Sequence, residues 1–403
     1  MDRMQKIKIL SVVCLVFLGS VIVAQDMIVI TGKVTDKKTG EPIPFVNIGV
    51  IGTYTGAATN MDGLYDLKIP SKYKEKELEI SAVGYSTVKE KVADIAKSKT
   101  YNVELNPMAF EVGEVEILGE SRLQYTRVKK AVENISKNYL QTPFNYDMYY
   151  RGELKSGDNV LRLREAAVRL YDNKGYERGD AYQVFKERGY DFLEVRKNFE
   201  NETLADGGTY LDELLEMDIV RVRGNVLNVN EIDDYKLTLE GETEYQGDKI
   251  WIIAYENPNA TLASTGDYYV RTYKGKLYIK QKDYAVVKNT MEVTASNYSP
   301  QGRSFYVEEA RQNYEPQSIS YKVTTTYKQH MDYYYLSYIS YERNHDWKSK
   351  KTGEKKKESI LAELLVTKID TFSPQVIERR AYYENKPYNE EFWKSYNIIK
   401  DRE

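Results

Sequence analysis

From Asp26 to Leu105 apolar and polar residues alternate in short runs, and turn signals break them about every ten residues, the spacing of short strands in an all-β unit. Tyr65, Leu67 and Ile69 fall on one side of such a run, with Leu64, Asp66 and Lys68 on the other. Leu78, Ile80 and Ala82 repeat the pattern against Glu77, Glu79 and Ser81, and Tyr101, Val103 and Leu105 continue it. In "DKKTGEPIP" Gly40 suits a left-handed turn, while Pro42 and Pro44 keep the next residues extended. In "TNMDGLYDLKIP" the residues Asn60, Met61, Asp62 and Gly63 read as a hairpin turn feeding Tyr65, Leu67 and Ile69 into the core. The segment is expected to be a β-sandwich.

The period changes after Leu105. "NPMAFEVGEVEILGES" reads as a last extended segment and a connector, and the next stretch is helical, with Val128, Ala131, Val132, Ile135 and Tyr139 on one face. Two strands are expected around Ser156-Gly157-Asp158-Asn159, and a short helix from Tyr210 to Met217, where Leu211, Leu214 and Leu215 make a stripe. Between Tyr235 and Arg380 strand-like runs follow one another across polar loops, one pair meeting at Gln246-Gly247-Asp248. Such consecutive hairpins build a meander, most economically one antiparallel sheet curved over a helix. The chain is therefore expected to be mainly β, in four parts: a leader over 1–24, a sandwich over 25–107, a connector with an amphipathic helix over 108–140, and an α+β domain with a large curved antiparallel sheet over 141–403.

Composition supports strands. The 403 residues include 37 tyrosines against 10 phenylalanines, and tyrosine suits a half-buried pleated surface. With 58 basic and 61 acidic residues the net charge is −3, too weak a field to argue for a nucleic-acid partner. Arg3, Lys6 and Lys8 precede an apolar run ending at Ala24, the layout of a secretory signal cut after Ala24. An uncleaved anchor is the competing reading, but the apolar core is short for a span. A lipoprotein would need Cys14 as its new terminus, and Val13 is not the small residue that cleavage prefers. Cys14 is the only cysteine, so the exported chain has no disulfide and depends on packing.

One ordered run of turn residues carries a resemblance: Gly32-Lys33-Val34-Thr35-Asp36, Thr39-Gly40-Glu41-Pro42-Ile43-Pro44, Val46-Asn47, Gly52-Thr53, Gly56, Thr59, Gly63 and Ser81-Ala82-Val83-Gly84-Tyr85. Over roughly residues 27 to 107 the chain resembles the carboxypeptidase-regulatory-like, peptidase-associated domain. The resemblance implies a transthyretin-like seven-stranded sandwich, and a family that often begins TonB-dependent transporters and other Gram-negative envelope proteins. Asn60 stands where that family more often has Asp, and Tyr65 where it has Phe. A shorter resemblance, through Gly275 to Ile279, Asp283 to Val287 and Tyr334 to Ile339, is to the half-barrel of periplasmic lipoprotein carriers. It implies no site residues.

Catalytic constellations are scarce. A peptidase zinc site needs imidazoles at fixed short spacing and a carboxylate, and this chain has only His330 and His345, in no such arrangement. His330 in "YKQHMDYY" reads as the cap of a hairpin, and His345 as the edge of a solvated lysine-rich loop. Asn60, Asp62 and Gly63 read as a structural turn, because a calcium loop would want more alternating carboxylates and a closing bidentate Glu. No cofactor or metal is expected. The cluster of tyrosines between Tyr321 and Tyr341 offers flat area with a polar tip, making Tyr327, Tyr333, Tyr335 and Tyr338 candidates for partner contact, although filling of a half-buried sheet explains them as well. Charges throughout "YKLTLEGETEY" and "RTYKGKLYIKQKDY" argue against a transmembrane barrel. The expectation is an exported, non-catalytic protein of the periplasm or outer membrane that binds an envelope protein, glycan or lipid, with peripheral membrane association. The competing readings are a carboxylate-dependent hydrolase and a periplasmic lipid or lipoprotein carrier.

Overall fold

A computed structural model describes residues 26–108, 120–178, 187–200, 209–265, 269–296 and 313–402. The expected secretory signal, Cys14 and most of the connector lie outside the described residues.

The first module has seven strands: β1 (Met27–Asp36), β2 (Asn47–Val50), β3 (Gly56–Ala58), β4 (Leu64–Pro70), β5 (Glu77–Ser81), β6 (Val88–Lys91) and β7 (Val103–Leu105), with a one-turn helix α1 (Val92–Ile95). They form a three-stranded sheet, β4-β1-β7, and a four-stranded sheet, β3-β2-β5-β6. Alternation along each strand sends Ile30, Val34, Ile48, Tyr65, Leu67 and Ile80 into the core between them.

The turn at residues 60–63 differs from the expected hairpin. β3 pairs with β2 and β4 pairs with β1, so the turn carries the chain from one sheet to the other. The Asn60 side-chain oxygen accepts from the backbone N–H groups of Asp62 and Leu64, both at 2.9 Å. Gly63 has φ +73°, and a Cβ there would lie 2.5 Å from the Val34 carbonyl oxygen. The residues that mark a turn are those expected; what they connect depends on pairing partners far along the chain.

The second module begins with α2 (Glu120–Glu133) and α3 (Ile135–Asn138). The strands β8 (Phe144–Ser156), β9 (Asn159–Asp172) and β10 (Arg188–Glu200) follow, then helices α4 (Leu211–Glu216) and α5 (Ile219–Val222). After β11 (Lys236–Tyr245), β12 (Asp248–Glu256) and α6 (Leu262–Thr265) come β13 (Val270–Lys280), β14 (Val286–Ala295), β15 (Tyr314–His330), β16 (Tyr333–Ser349) and β17 (Lys355–Asp370), with α7 (Glu390–Ser395) near the end. All ten strands form one sheet in the order β10-β9-β8-β17-β16-β15-β14-β13-β12-β11, and every pairing is antiparallel.

Because β10 and β11 lie at opposite edges, the connection between them spans the sheet. It carries α4 and α5, whose Leu211, Leu214, Leu215, Ile219 and Val220 join Val128 and Ala131 of α2 in the main core. An ion network is buried there too. Asp172 accepts from Arg188 at 2.9 Å and from Arg221 at 2.8 Å, and Asp218 caps α5 through the Arg221 backbone N–H at 3.2 Å. Burial alone would push the Asp172 carboxyl up, but the two guanidinium groups hold it below its ordinary value. Paired in this way, the charges are tolerated in the interior.

The last residues join the modules. Trp393, Ile398 and Ile399 cluster with Ala58 of the sandwich and with Tyr149, Ala167, Tyr338 and Leu365 of the sheet. Asn397 accepts from the Lys68 backbone N–H at 2.7 Å and donates to its carbonyl at 3.2 Å, the bonding of an added strand residue. Asn60 donates to the Lys400 carbonyl at 3.1 Å, while Asp401 pairs with Lys197 at 2.9 Å on the sheet side.

Candidate functional site: the cleft between the two modules

The sheet face opposite α4 and α5 meets the sandwich. Beside the tail-filled region the two modules enclose a cleft of about 200 Å³, lined by both. The sandwich supplies two loops, Ile43, Pro44, Phe45 and Asn47 from the first and Ser81, Ala82, Val83 and Tyr85 from the second. Seven of these eight belong to the turn signature on which the sequence resemblance rests, so in this chain the signature shapes a cavity wall as well as a fold.

Phe45 is held unusually. Its φ is +61°, a left-handed conformation that bulky side chains seldom adopt. Buried Thr59 secures it: the hydroxyl donates to the Ile43 carbonyl at 2.8 Å and accepts from the Val46 N–H at 2.9 Å, while the Thr59 carbonyl accepts from the Phe45 N–H at 3.1 Å. The outcome is a ring directed away from its own sandwich, with its centroid 5.0 Å from that of Tyr338 on the sheet. Phe45 thus stands between the tail-filled part of the junction and the cleft.

The sheet wall comes from Tyr245, Val287, Lys288, Thr326, Tyr327 and Ser337. Ser337 is an extra residue in the β15–β16 ladder, since Thr326 pairs with Tyr338 and Tyr327 with Leu336. A bulge of this kind re-aims neighbouring side chains, and bulges concentrate at binding sites. Lys288 pairs with Thr326 across β14 and β15, and its Nζ lies 5.3 Å from the centre of the Tyr278 ring. Lys328 lies two residues beyond Thr326 and His330 two beyond that, where its ring centroid is 3.9 Å from that of Tyr54 in the sandwich.

The electrostatics are one-sided. Nearby Lys276 and Lys280 each have a carboxylate at 2.6 Å, Glu240 and Asp248 respectively. Lys288 and Lys328 have none among the described residues. Burial pushes both ammonium groups down to about 8, with the charge of Lys276 adding to the effect on Lys288. Burial pushes the Tyr85 and Tyr245 hydroxyls up to about 12, so both stay protonated near neutral pH. The Tyr85 hydroxyl donates to Asp36 at 3.0 Å. Among the described residues the cleft thus offers one cation, several hydroxyls and the Asn47 amide, with no carboxylate and no imidazole in its lining.

The four singled-out tyrosines have different fates. Tyr327 is buried, its hydroxyl donating to Asp218 at 2.9 Å on the helix-covered side. Tyr335 is buried with its ring edge-on to Phe144. Tyr338 is buried against Phe45 and donates to Glu363. Tyr335 and Tyr338 pack into the interior, Tyr327 lines the cleft with its hydroxyl turned to Asp218, and Tyr333, at the hairpin end, is half-buried. His345 also departs from expectation. β16 continues to Ser349, which places the ring 5.1 Å from Trp347 in the interior rather than in a solvated loop, and burial pushes its pKa down to about 2. Among the described residues no three His, Cys, Asp or Glu side chains are grouped to hold a metal.

Sequence reasoning missed Lys288 and Lys328. Each lies in a strand among ordinary alternating residues, and their shortage of partners depends on a sandwich more than 200 positions away. The weak signal available was the apolar Val286-Val287 pair just before Lys288, which marks a well-buried stretch.

Known proteins give a context for this geometry. Residues 30–117 match the CarboxypepD_reg-like domain family, the stretch on which the turn residues carry the resemblance. A TonB-dependent receptor of Formosa agariphila is 28% identical over 171 residues, covering 42% of this chain and 16% of the receptor. The chain therefore spans less than a fifth of that relative's length. A LolA superfamily protein from Nitrosomonas europaea has 11% identity and a TM-score of 0.23, covering 62% of this chain and 94% of its own. A Bacteroides fragilis protein of unknown function, described as membrane-associated, has 10% identity and a TM-score of 0.15, with 85% and 98% covered. No helix among the described residues is long and apolar enough to cross a membrane.

Proposed function

We propose that this chain is an exported, non-catalytic protein of the Gram-negative envelope that binds a partner at the junction of its sandwich and its large sheet. The observation that carries this reading is the cleft itself: two modules with separate cores close against each other, yet leave a polar space whose walls are built by a strained loop and a bulge. Similarity of the sandwich to the CarboxypepD_reg-like family, and of part of the chain to a TonB-dependent receptor, supports the envelope setting. The absence of acid and imidazole from the lining supports binding over turnover.

Envelope fractionation and photocrosslinking test this. A benzophenone residue at Thr326 is expected to give a crosslinked product in the envelope fraction, and the same group at exposed Lys89 is not. A cytoplasmic protein, or equal products from both positions, would contradict the reading.

A further inference from the structure

We infer that the cleft takes a small organic oxyanion, a carboxylate or phosphate, whose charge is met by Lys288 and whose body lies against the Asn47, Tyr85 and Tyr245 wall. This rests on the preceding reading of the cleft as the binding site and adds the chemical class of what enters it.

Three observations lead there. The first is charge. A lysine ammonium within protein is ordinarily paired, as Lys276 and Lys280 are on the neighbouring strand, yet among the described residues Lys288 has the Tyr278 ring and no carboxylate. The second is the lining: the Ser81, Tyr245, Thr326 and Ser337 hydroxyls and the Asn47 amide can donate to an oxyanion, and no described lining residue is a carboxylate. The third is size. A volume of about 200 Å³ equals the share of roughly seven liquid waters, enough for a small molecule or one terminal group and too little for a folded segment. Lys328, two residues further along the same face of β15, adds a second positive charge beyond the cleft mouth without a carboxylate of its own among the described residues. A neutral ligand would leave both charges uncompensated, and a cation would add to them.

Calorimetric titration of the purified chain tests the class. Glucose 6-phosphate and glucuronate serve as phosphate and carboxylate probes of matched body, with neutral glucose as their control. At least one charged probe is expected to bind, with glucose weaker by about tenfold or more, the scale of a charge-assisted contact. Whichever charged probe is tighter identifies the anion. Lys288→Met is expected to lower that affinity by about tenfold or more, while Lys322→Met, on exposed β15, leaves it unchanged. Equal binding of all three probes, binding of none, or full affinity in Lys288→Met would overturn the inference. Because the comparison of probes uses the unaltered chain, it holds even if a variant folds poorly. If Thr326 crosslinks a partner while the charged probes fail, the ligand class alone is wrong; if both fail, the cleft is not the site.

Discussion

The junction between the two modules has two halves built on opposite principles. In one, the chain's own terminus closes the gap: Trp393, Ile398 and Ile399 fill the space between Ala58 and Leu365, Asn397 bonds both backbone groups of Lys68, and Asp401 meets Lys197. In that half the Lys68 backbone, Asn60 and Asp401 find partners, while the buried Trp393 indole N–H has none among the described residues. Across Phe45 lies the other half, a space lined by hydroxyls, the Asn47 amide and Lys288 that no described segment of the chain fills. One half is optimised for cohesion, while the other retains an unpaired ammonium that costs stability. On the proposed reading, the open half is the part kept for a ligand.

Removing the largest side chain from the closed half should have the greatest effect. Trp393→Ala is expected to cost about 3–5 kcal/mol, the range for deleting a buried aromatic, and chemical denaturation would measure it. A loss below about 1 kcal/mol would mean that the tail is not the mortar of the junction. Asn397→Ala should cost less, about 1–3 kcal/mol, because it strands one buried donor and one acceptor on the Lys68 backbone.

The open half should respond with the opposite sign. Lys288→Met keeps the length of the side chain and removes the desolvated charge, so the ligand-free protein is expected to gain roughly 0.5–2 kcal/mol. A weaker signature lies in pH. The folded-state pKa of Lys288 and Lys328 is about 8, against 10.5 for an ordinary lysine, so between those values the unfolded chain binds more protons than the folded one. Stability attributable to these two groups therefore rises as pH increases from about 8 to 10.5, and their cost is fully present below 8. Tyr85 and Tyr245, held near 12 when folded, begin to ionise in the unfolded chain as pH approaches 10, which lowers stability and opposes the lysine effect at the top of that window. Denaturation midpoints across it should flatten in the double variant Lys288→Met, Lys328→Met, and an unchanged slope would assign the effect elsewhere.

What was legible in the sequence follows the range of the interactions concerned. Alternation in Tyr65, Leu67 and Ile69, the i, i+3, i+4 spacing of Val128, Ala131, Val132 and Ile135, and the Gln246-Gly247 turn are local signals, and the strands and helices they imply are present. The resemblance carried by the signature turns falls on the stretch that matches the CarboxypepD_reg-like family. The site was far less legible. Tyrosine clustering drew attention to the hairpin that lines the cleft, but whether Tyr338 faces solvent or Phe45 depends on a module almost 300 positions earlier in the chain. Likewise, the 60–63 turn was recognisable from Asn60 and Gly63, whereas its crossing between sheets was decided by the strands that β3 and β4 pair with. An unpaired lysine leaves no sequence signature, because the missing carboxylate is a property of a surface assembled from distant segments.

The most direct test of the contrast is the denaturation midpoint of the unaltered chain and of Lys288→Met at pH 7, each with and without the tighter charged probe. Lys288→Met is expected to be the more stable protein without the probe, and the probe to raise the midpoint of the unaltered chain more than that of the variant. A Lys288→Met protein that is less stable, and a probe that shifts both midpoints equally, would show that Lys288 is part of the packing and that the cleft is only a gap between two modules.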